Sequence, residues 1–219
     1  QAQAAMNSVV NQTVAVVDYG MGNLRSVAQA VIHATTDTHV NAVITQDPQV
    51  VRNAHRVVLP GQGAMADCMR ELRESGLLES VLEAAATKPL FGVCVGMQLL
   101  ASRGLEYTVT QGLGWIPGSV DRLKPANPSL KVPHMGWNDL VIDHPHPVLE
   151  GIATGDHAYF VHGWQFQVAN PAERLAHAGY GSAVTAVVGR DNIVGTQFHP
   201  EKSQGVGLRM IGNFLGWRV

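Results

Sequence analysis

The sequence predicts an α/β fold of three layers, in which helices cover both faces of a mostly parallel, doubly wound sheet. Apolar runs at residues 14–17 and 56–59 are nearly continuous, as in parallel strands that are buried on both faces. Up to residue 104 such runs alternate with segments whose apolar residues recur at helical spacing. Beyond residue 104, glycine and proline separate short β-like segments, which predicts an added region of antiparallel strands.

The size and composition of the chain predict a single domain over residues 14–217, behind an N-terminal tail of residues 1–13. Residues 1–5 precede Met6 and are interpreted as an expression remnant. A formal net charge of −2 offers no basic surface for nucleic acid, and no apolar run approaches the roughly 18 residues of a membrane span. Two cysteines are too few for a disulfide framework, so we expect a cytoplasmic protein.

The first half of the chain alternates strand and helix. The strand at residues 14–17 is followed by a loop in which Gly20 and Gly22 lack the third glycine of a dinucleotide fingerprint, so we expect a ligand crevice there but neither a cofactor nor a metal. Cys68 lies on the apolar face of a helix and is predicted to be packed in the core. The other elements predicted here are a strand at 40–45, a helix capped by Asp47, a strand at 56–59, a helix from Met65 to near Gly76 and helical turns at 77–86.

The second half is predicted to be richer in strands. Residues 184–188 and 193–197 are expected to pair as a hairpin around a turn at 189–192. The last helix carries apolar residues from Val206 to Leu215 on one side and can close a face of the sheet. Further strands are predicted at 134–142, 158–162 and 175–178.

The stretch 89–104 is the one around which the chain is predicted to be arranged. An apolar run passes through Gly92-Val93-Cys94-Val95-Gly96 into a pattern that suits a helix, so we expect a strand, a tight turn and a helix. Flanking glycines allow such a turn, which pushes the central side chain clear of the sheet, and the N–H groups of the following helix favour a thiolate. The alternative is that Cys94 is an inert, packed cysteine.

A histidine and a glutamate near the C-terminus supply the remaining groups for acyl transfer. Such a reaction needs a thiolate, an imidazole that moves protons and a carboxylate that orients the imidazole. His199 and Glu201 are two positions apart, so in extended backbone their side chains share a face, with Pro200 fixing the turn between them. The alternative for His199 is an ordinary hydrogen-bonded histidine, because the chain has ten.

An oxyanion hole is the last part that acyl transfer requires. One donor is predicted to be the backbone N–H of Val95, the residue after the nucleophile. The second is predicted to come from the loop Pro60-Gly61-Gln62-Gly63, because this loop ends a strand expected beside the elbow strand and glycine allows a close approach. An ordinary turn between strand and helix is the alternative.

These motifs resemble the class I, or triad, glutamine amidotransferases. The resemblance covers residues 14–217, and the stretches at 18–23, 132–138, 159–162 and 202–204 narrow it to the glutaminase subunits of imidazole glycerol phosphate synthase. It implies hydrolysis of L-glutamine to glutamate and ammonia, with Gln98 and the loop at 61–63 holding the glutamine. It also implies transfer of the ammonia to a (β/α)₈-barrel cyclase subunit, in a heterodimer that makes imidazole glycerol phosphate for histidine biosynthesis. The residues placed at the partner interface are Asn23, Trp137, Asn138 and Lys202.

The resemblance also implies that hydrolysis stays slow until the partner's ligand is bound and the loop at 61–63 presents its N–H correctly. Two departures are present: Gly163-Trp164-Gln165 stands where many relatives have serine and tyrosine, and Val95 replaces a commoner leucine. Two other functions remain open. One is a stand-alone cysteine hydrolase that acts on γ-glutamyl or peptide bonds, and the other is a non-enzymatic regulatory module of the same fold.

Overall fold

A computed structural model describes residues 11–34 and 39–219, so residues 1–10 of the predicted tail lie outside the described part of the chain. The strands are β1 (Gln12–Val17), β2 (Val40–Thr45), β3 (Arg56–Leu59), β4 (Leu90–Val93), β5 (Arg103–Gly104), β6 (Thr110–Gln111), β7 (Gly118–Arg122), β8 (His134–Asp139), β9 (Val141–Ile142), β10 (His157–His162), β11 (Trp164–Val168), β12 (Arg174–Gly179), β13 (Ala183–Arg190) and β14 (Ile193–Thr196). The α-helices are α1 (Leu24–His33), α2 (Pro48–Asn53), α3 (Met65–Glu74), α4 (Leu78–Ala85), α5 (Val95–Gln98) and α6 (Gln204–Gly216).

The main sheet has eight strands in the order β2-β1-β3-β4-β14-β13-β12-β9. The first five strands in this order are parallel to one another, and the last three are added antiparallel. All residues of β4 and β14 are buried, as expected for central strands that are covered on both faces. The predicted mixed α/β sheet is therefore confirmed.

The winding of the sheet places the helices and the crevice. The chain moves from β1 outward to β2 and then back past β1 to β3 and β4, so its crossovers run in opposite directions. Since both crossovers are right-handed, α1 lies on one face, where it packs against α6, and α2 lies on the other, where it packs against α4. The strand order reverses between β1 and β3, and ligands of such sheets bind where the carboxyl ends of the strands meet at this point.

The helix after β4 is shorter than the apolar pattern predicted. Regular α-helix ends at Gln98, although Leu99, Leu100 and Ala101 are fully buried. The carbonyl groups of these three residues accept hydrogen bonds from the backbone N–H groups of residues 113, 116 and 114. The chain leaves the helix because a distant loop, rather than a next helical turn, satisfies these carbonyls.

Four strands, β5, β6, β7 and β11, were missed, and one turn is tighter than predicted. β7 and β11 pair antiparallel in a four-stranded sheet, in the order β11-β7-β5-β6. Their inner and outer residues do not alternate regularly, so they lack the period that reveals a strand. The hairpin of β13 and β14 turns through Asp191 and Asn192 alone, and Asp191 adopts φ +52°.

None of the helices in the described part of the chain is both long enough and apolar enough to cross a membrane.

Candidate active site

Cys94 stands at a sharp turn between β4 and α5. Its φ of +56° and ψ of −115° lie in a region that residues other than glycine rarely occupy, at a cost of about 1–3 kcal/mol. The two flanking glycines are required by packing. A Cβ at Gly92 would lie 2.7 Å from the Gly96 carbonyl oxygen, and one at Gly96 would lie 1.9 Å from the carbonyl oxygen of Leu59 at the end of β3. The turn is thus pressed against the neighbouring parallel strand.

His199 and Glu201 meet Cys94 from the end of β14. The backbone N–H of Cys94 donates to the Thr196 carbonyl at 2.8 Å, which fixes the end of β4 beside the end of β14. His199 interacts with Cys94 in a way that favours the protonated imidazole, and its Nδ1 lies 2.8 Å from Glu201 Oε1. Because a carboxylate can only accept, Nδ1 carries the proton of this bond and Nε2 is the ring atom that faces Cys94.

The backbone that joins His199 to Glu201 is not extended, so that part of the sequence argument was wrong. Pro200–Lys202 forms a short 3₁₀ helix, and His199 occupies the position before it. The carboxylate of Glu201 therefore reaches back to His199 within one tight turn. Proline suits the first position of such a turn, where its missing N–H leaves no bond unmade.

The charges around His199 favour its protonated form. Burial alone lowers the pKa of the imidazole, but hydrogen bonds and charge interactions with Cys94 and Glu201 outweigh burial and raise it to about 10. The Glu201 side chain is 1% exposed, and its Oε2 is buried without a hydrogen-bond partner among the described residues. His199 is therefore the group that compensates the carboxylate, which suits a thiolate–imidazolium pair.

The predicted oxyanion loop lies directly against the turn at Cys94. A Cβ at Gly61 would lie 2.6 Å from the Gly96 nitrogen and 3.0 Å from the Val95 carbonyl carbon, so only glycine fits. Gly63 adopts φ +85°, where glycine is favoured. Val95 is the first residue of α5, and its N–H therefore has no acceptor within the helix.

A cleft of about 480 Å³ opens at this edge of the sheet, within the range of about 300–1,000 Å³ that is usual for small-molecule sites. Its walls come from the ends of β1, β3, β4 and β14 and from the segment between β10 and β11. Of the residues predicted for the site or the interface, those that line the cleft are Asn23, Gly61, Gln62, Gly63, Cys94, Val95, Gln98, His199, Glu201 and Lys202.

Trp137 and Asn138 are not among the residues that line this cleft. Trp137 is 51% exposed and contacts the ring of Tyr159 edge to face, with 5.8 Å between the ring centroids. The side chain of Asn138 instead turns inward, because its Nδ2 donates to His134 Nε2 at 3.1 Å and to the Gly179 carbonyl at 2.9 Å. Trp137 therefore presents its ring to the surface, whereas the Asn138 side chain stabilises the interior of the chain.

Sequence reasoning missed a pair of buried histidines behind the cleft. His162 Nδ1 lies 2.8 Å from the Trp164 carbonyl oxygen and must donate to it, so His162 Nε2 is an acceptor. That atom lies 2.9 Å from His134 Nδ1, which donates, and this leaves His134 Nε2 to accept from Asn138. Both histidines are neutral in this arrangement. Burial lowers the pKa of each to about 4, which agrees.

A second chain of hydrogen bonds continues from this pair to the nucleophile. Gln98 Nε2 donates to the Trp164 carbonyl at 3.3 Å and to Gln197 Oε1 at 3.1 Å. Gln197 Nε2 in turn lies 3.9 Å from the sulfur of Cys94. In the sequence, His162 and Gln197 stand next to segments that were predicted to form the site, and this was the only signal that could have pointed to them. No local pattern linked the two residues to each other.

The family of the chain follows from comparison with known proteins. Residues 15–216 match the family model for glutamine amidotransferase class-I. In a crystal structure of a glutamine amidotransferase the fold matches with a TM-score of 0.69 at 21% identity, over 93% of this chain and 99% of that one. The structure of PurLQS from Thermotoga maritima matches with a TM-score of 0.69 at 19% identity, over 94% and 98%. The chain belongs to the class I glutamine amidotransferases, a family of enzymes.

Closer relatives narrow the similarity within this family. The chain is 57% identical over 206 residues to imidazole glycerol phosphate synthase subunit HisH of Cereibacter sphaeroides, covering 92% of this chain and 97% of that protein. It is 53% identical over 210 residues to the protein of the same name in Rhodospirillum rubrum, covering 93% and 98%. The resemblance to the glutaminase subunits of imidazole glycerol phosphate synthase, predicted from the motifs, is confirmed.

Proposed function

We propose that this chain hydrolyses L-glutamine to glutamate and ammonia as the glutaminase subunit of an imidazole glycerol phosphate synthase in histidine biosynthesis. The observation that carries the proposal is that Cys94, His199 and Glu201 line one cleft of small-molecule size, where His199 is hydrogen-bonded to Glu201 and interacts with Cys94. Membership of the class I glutamine amidotransferases supports glutamine as the substrate. The set suits acyl transfer from a carboxamide, because it holds a nucleophile, a proton carrier and an orienting carboxylate.

The reaction proceeds in two halves. The thiolate of Cys94 attacks the side-chain carboxamide carbon of glutamine, and the carbonyl oxygen becomes an oxyanion that accepts from the N–H of Val95 and from the loop at 61–63. His199 Nε2 then gives its proton to the leaving nitrogen, so ammonia departs and a γ-glutamyl thioester remains. In the second half His199 takes a proton from water, the hydroxide attacks the thioester, and glutamate leaves as the thiolate is restored.

Gln98 is proposed to bind the glutamine substrate. Its Nε2 donates to the chain itself, whereas its Oε1 accepts no bond from the described residues. That oxygen suits an ammonium group such as the α-amino group of glutamine. The neighbouring wall of the cleft is the segment Gly163-Trp164, where the Trp164 carbonyl is held by His162 and Gln98.

The partner of this chain is proposed to be the (β/α)₈-barrel cyclase subunit, which takes up the ammonia. The exposed ring of Trp137 is a suitable interface anchor, and Lys202 and Asn23 are exposed where the cleft opens. Asn138 is proposed to support this face from behind, because its amide bonds within the chain. Both cysteines are free, which agrees with a cytoplasmic setting.

The proposal is tested by glutamate release from the purified chain mixed with the candidate cyclase, with and without the cyclase's nucleotide ligand. We expect release that depends on both, and loss of release in Cys94→Ala with complex formation intact. Cys68→Ala is not a suitable control, since Cys68 contacts the oxyanion loop, so Tyr180→Phe serves instead, because Tyr180 does not line the cleft and its hydroxyl bonds to the Lys131 carbonyl.

Other outcomes point to the other functions. Faster turnover of γ-glutamyl peptides than of glutamine would identify a stand-alone cysteine hydrolase. A stable complex that never releases glutamate would identify a regulatory module. Retained hydrolysis in Cys94→Ala would contradict the role given to the thiol. If the isolated chain is as fast as the liganded complex, the dependence on the partner is wrong.

A further inference from the structure

Behind the loop at 61–63 lie two buried polar side chains that the reaction does not use. Tyr19 follows β1 and is 3% exposed, and Cys68 lies on α3 and is fully buried. The Tyr19 hydroxyl donates to the Pro60 carbonyl at 2.5 Å. The Cys68 thiol donates to the Gln62 carbonyl at 3.2 Å. Cys68 is therefore more than the packed small residue that its helical position predicted.

These two bonds hold the loop from its rear side on both sides of Gly61. In a trans peptide the C=O and N–H point in opposite directions, so a carbonyl that is held also sets the direction of the next N–H. The bond to Pro60 thus sets the N–H of Gly61, and the bond to Gln62 sets that of Gly63. A Cβ at Gly61 would lie 3.1 Å from the Tyr19 hydroxyl and 2.6 Å from the Gly96 nitrogen, so the loop is packed between the hydroxyl and the nucleophile turn.

We propose that Tyr19 and Cys68 are positioning residues for glutamine hydrolysis, which hold the backbone of residues 60–63 where it stabilises the oxyanion. Neither side chain touches the cleft, so each acts through the loop. The two groups also influence each other's pKa, so they lie close together behind the loop. Burial raises the pKa of both, so both remain protonated donors at neutral pH. This inference rests on the proposed glutaminase function.

The test compares hydrolysis with alkylation in the complex with the candidate cyclase and its nucleotide ligand. Tyr19→Phe removes one hydroxyl and keeps the ring, and we expect kcat for glutamine to fall roughly tenfold with KM nearly unchanged. Alkylation of Cys94 by iodoacetamide passes through no oxyanion, so its rate should stay at the parent value. Cys68→Ala should lower kcat about threefold, and Cys68→Ser, which keeps a donor, should restore it.

A matched control is Tyr180→Phe, which removes a hydroxyl that donates to the Lys131 carbonyl and keeps the ring that stacks on His134, and it should leave kcat unchanged. An unchanged kcat in Tyr19→Phe, or a fall in which alkylation slows equally, would overturn the inference, since the second result means a general disturbance. Failure of the parent complex to release glutamate would instead overturn the proposed function. The two failures are therefore distinguishable.

Discussion

His199 and the buried pair of His134 and His162 lie at the same cleft, and their protonation is opposite. The pKa of His199 is raised to about 10, whereas the pKa values of His134 and His162 are lowered to about 4. Burial opposes the charged form at all three residues. Only His199 has acidic side chains, Cys94 and Glu201, as partners that raise its pKa, while the pair bonds to neutral groups. The comparison teaches that the partner, and not burial, decides whether a histidine here carries charge.

The largest effect on the difference in pKa between His199 and the neutral pair is expected from removal of the negative charge of Glu201. In Glu201→Gln we expect glutamate release to fall by about 10²-fold, because the imidazolium loses both its orienting acceptor and its counter-charge. The pKa of His199 should move from about 10 toward its ordinary range. The pH titration of the His199 imidazole by NMR measures this shift, since its midpoint should move to lower pH. A midpoint that does not move would mean that Glu201 does not set the charge of His199.

The dependence of stability on pH should differ between the two groups. His199 has a folded pKa above the ordinary 6.5, so its stabilisation is complete below about pH 6.5 and is lost as the pH rises through about 10. The pair has folded pKa values below 6.5, so its contribution is lost as the pH falls from about 6.5 to about 4. Denaturant unfolding across pH 4–10 measures both limbs.

Two variants separate these limbs. His199→Asn should flatten the alkaline limb and reduce the acid limb only slightly, because the charge on His199 is the smallest of the causes that lower the pKa of His162. His162→Gln should flatten the acid limb only. If either variant changes both limbs equally, the two histidine groups are not independent, and the charge contrast between them is not the cause of the pH dependence.

The smallest effect is expected at the outer end of the neutral pair. Asn138→Ala removes the donor to His134 and to the Gly179 carbonyl, and it should lower the free energy of unfolding by about 1 kcal/mol. Thermal or denaturant unfolding measures the loss. The rate of Cys94 alkylation in the isolated chain should not change, because the charge on His199 does not depend on this amide. A slower alkylation would show that the neutral pair also supports the charged set.

The sequence was most informative about the site where the signal was local. The glycines around Cys94, the apolar runs before it and the short interval from His199 to Glu201 are neighbours along the chain, so strand, turn and partner could be read from their order. The same reasoning was wrong about the backbone at Pro200, since the interval of two residues fits both an extended strand and the 3₁₀ turn that occurs. The predicted helix also ran past Gln98, where the observed helix ends. Residues 99–101 are apolar and buried, which fits a helix and the observed non-helical backbone equally well.

The sequence by itself determined the alternation of strands and helices, the position of the nucleophile turn and the residue types that acyl transfer needs. These properties depend on side-chain periodicity and on glycine geometry within a few residues. Only the tertiary structure decided that His134 bonds to His162, that Tyr19 and Cys68 hold the carbonyls of residues 60 and 62, and that His199 carries a charge. Each of these depends on which groups the winding of the sheet brings within 3–4 Å, because hydrogen bonds and desolvation act over distance in space and not along the chain.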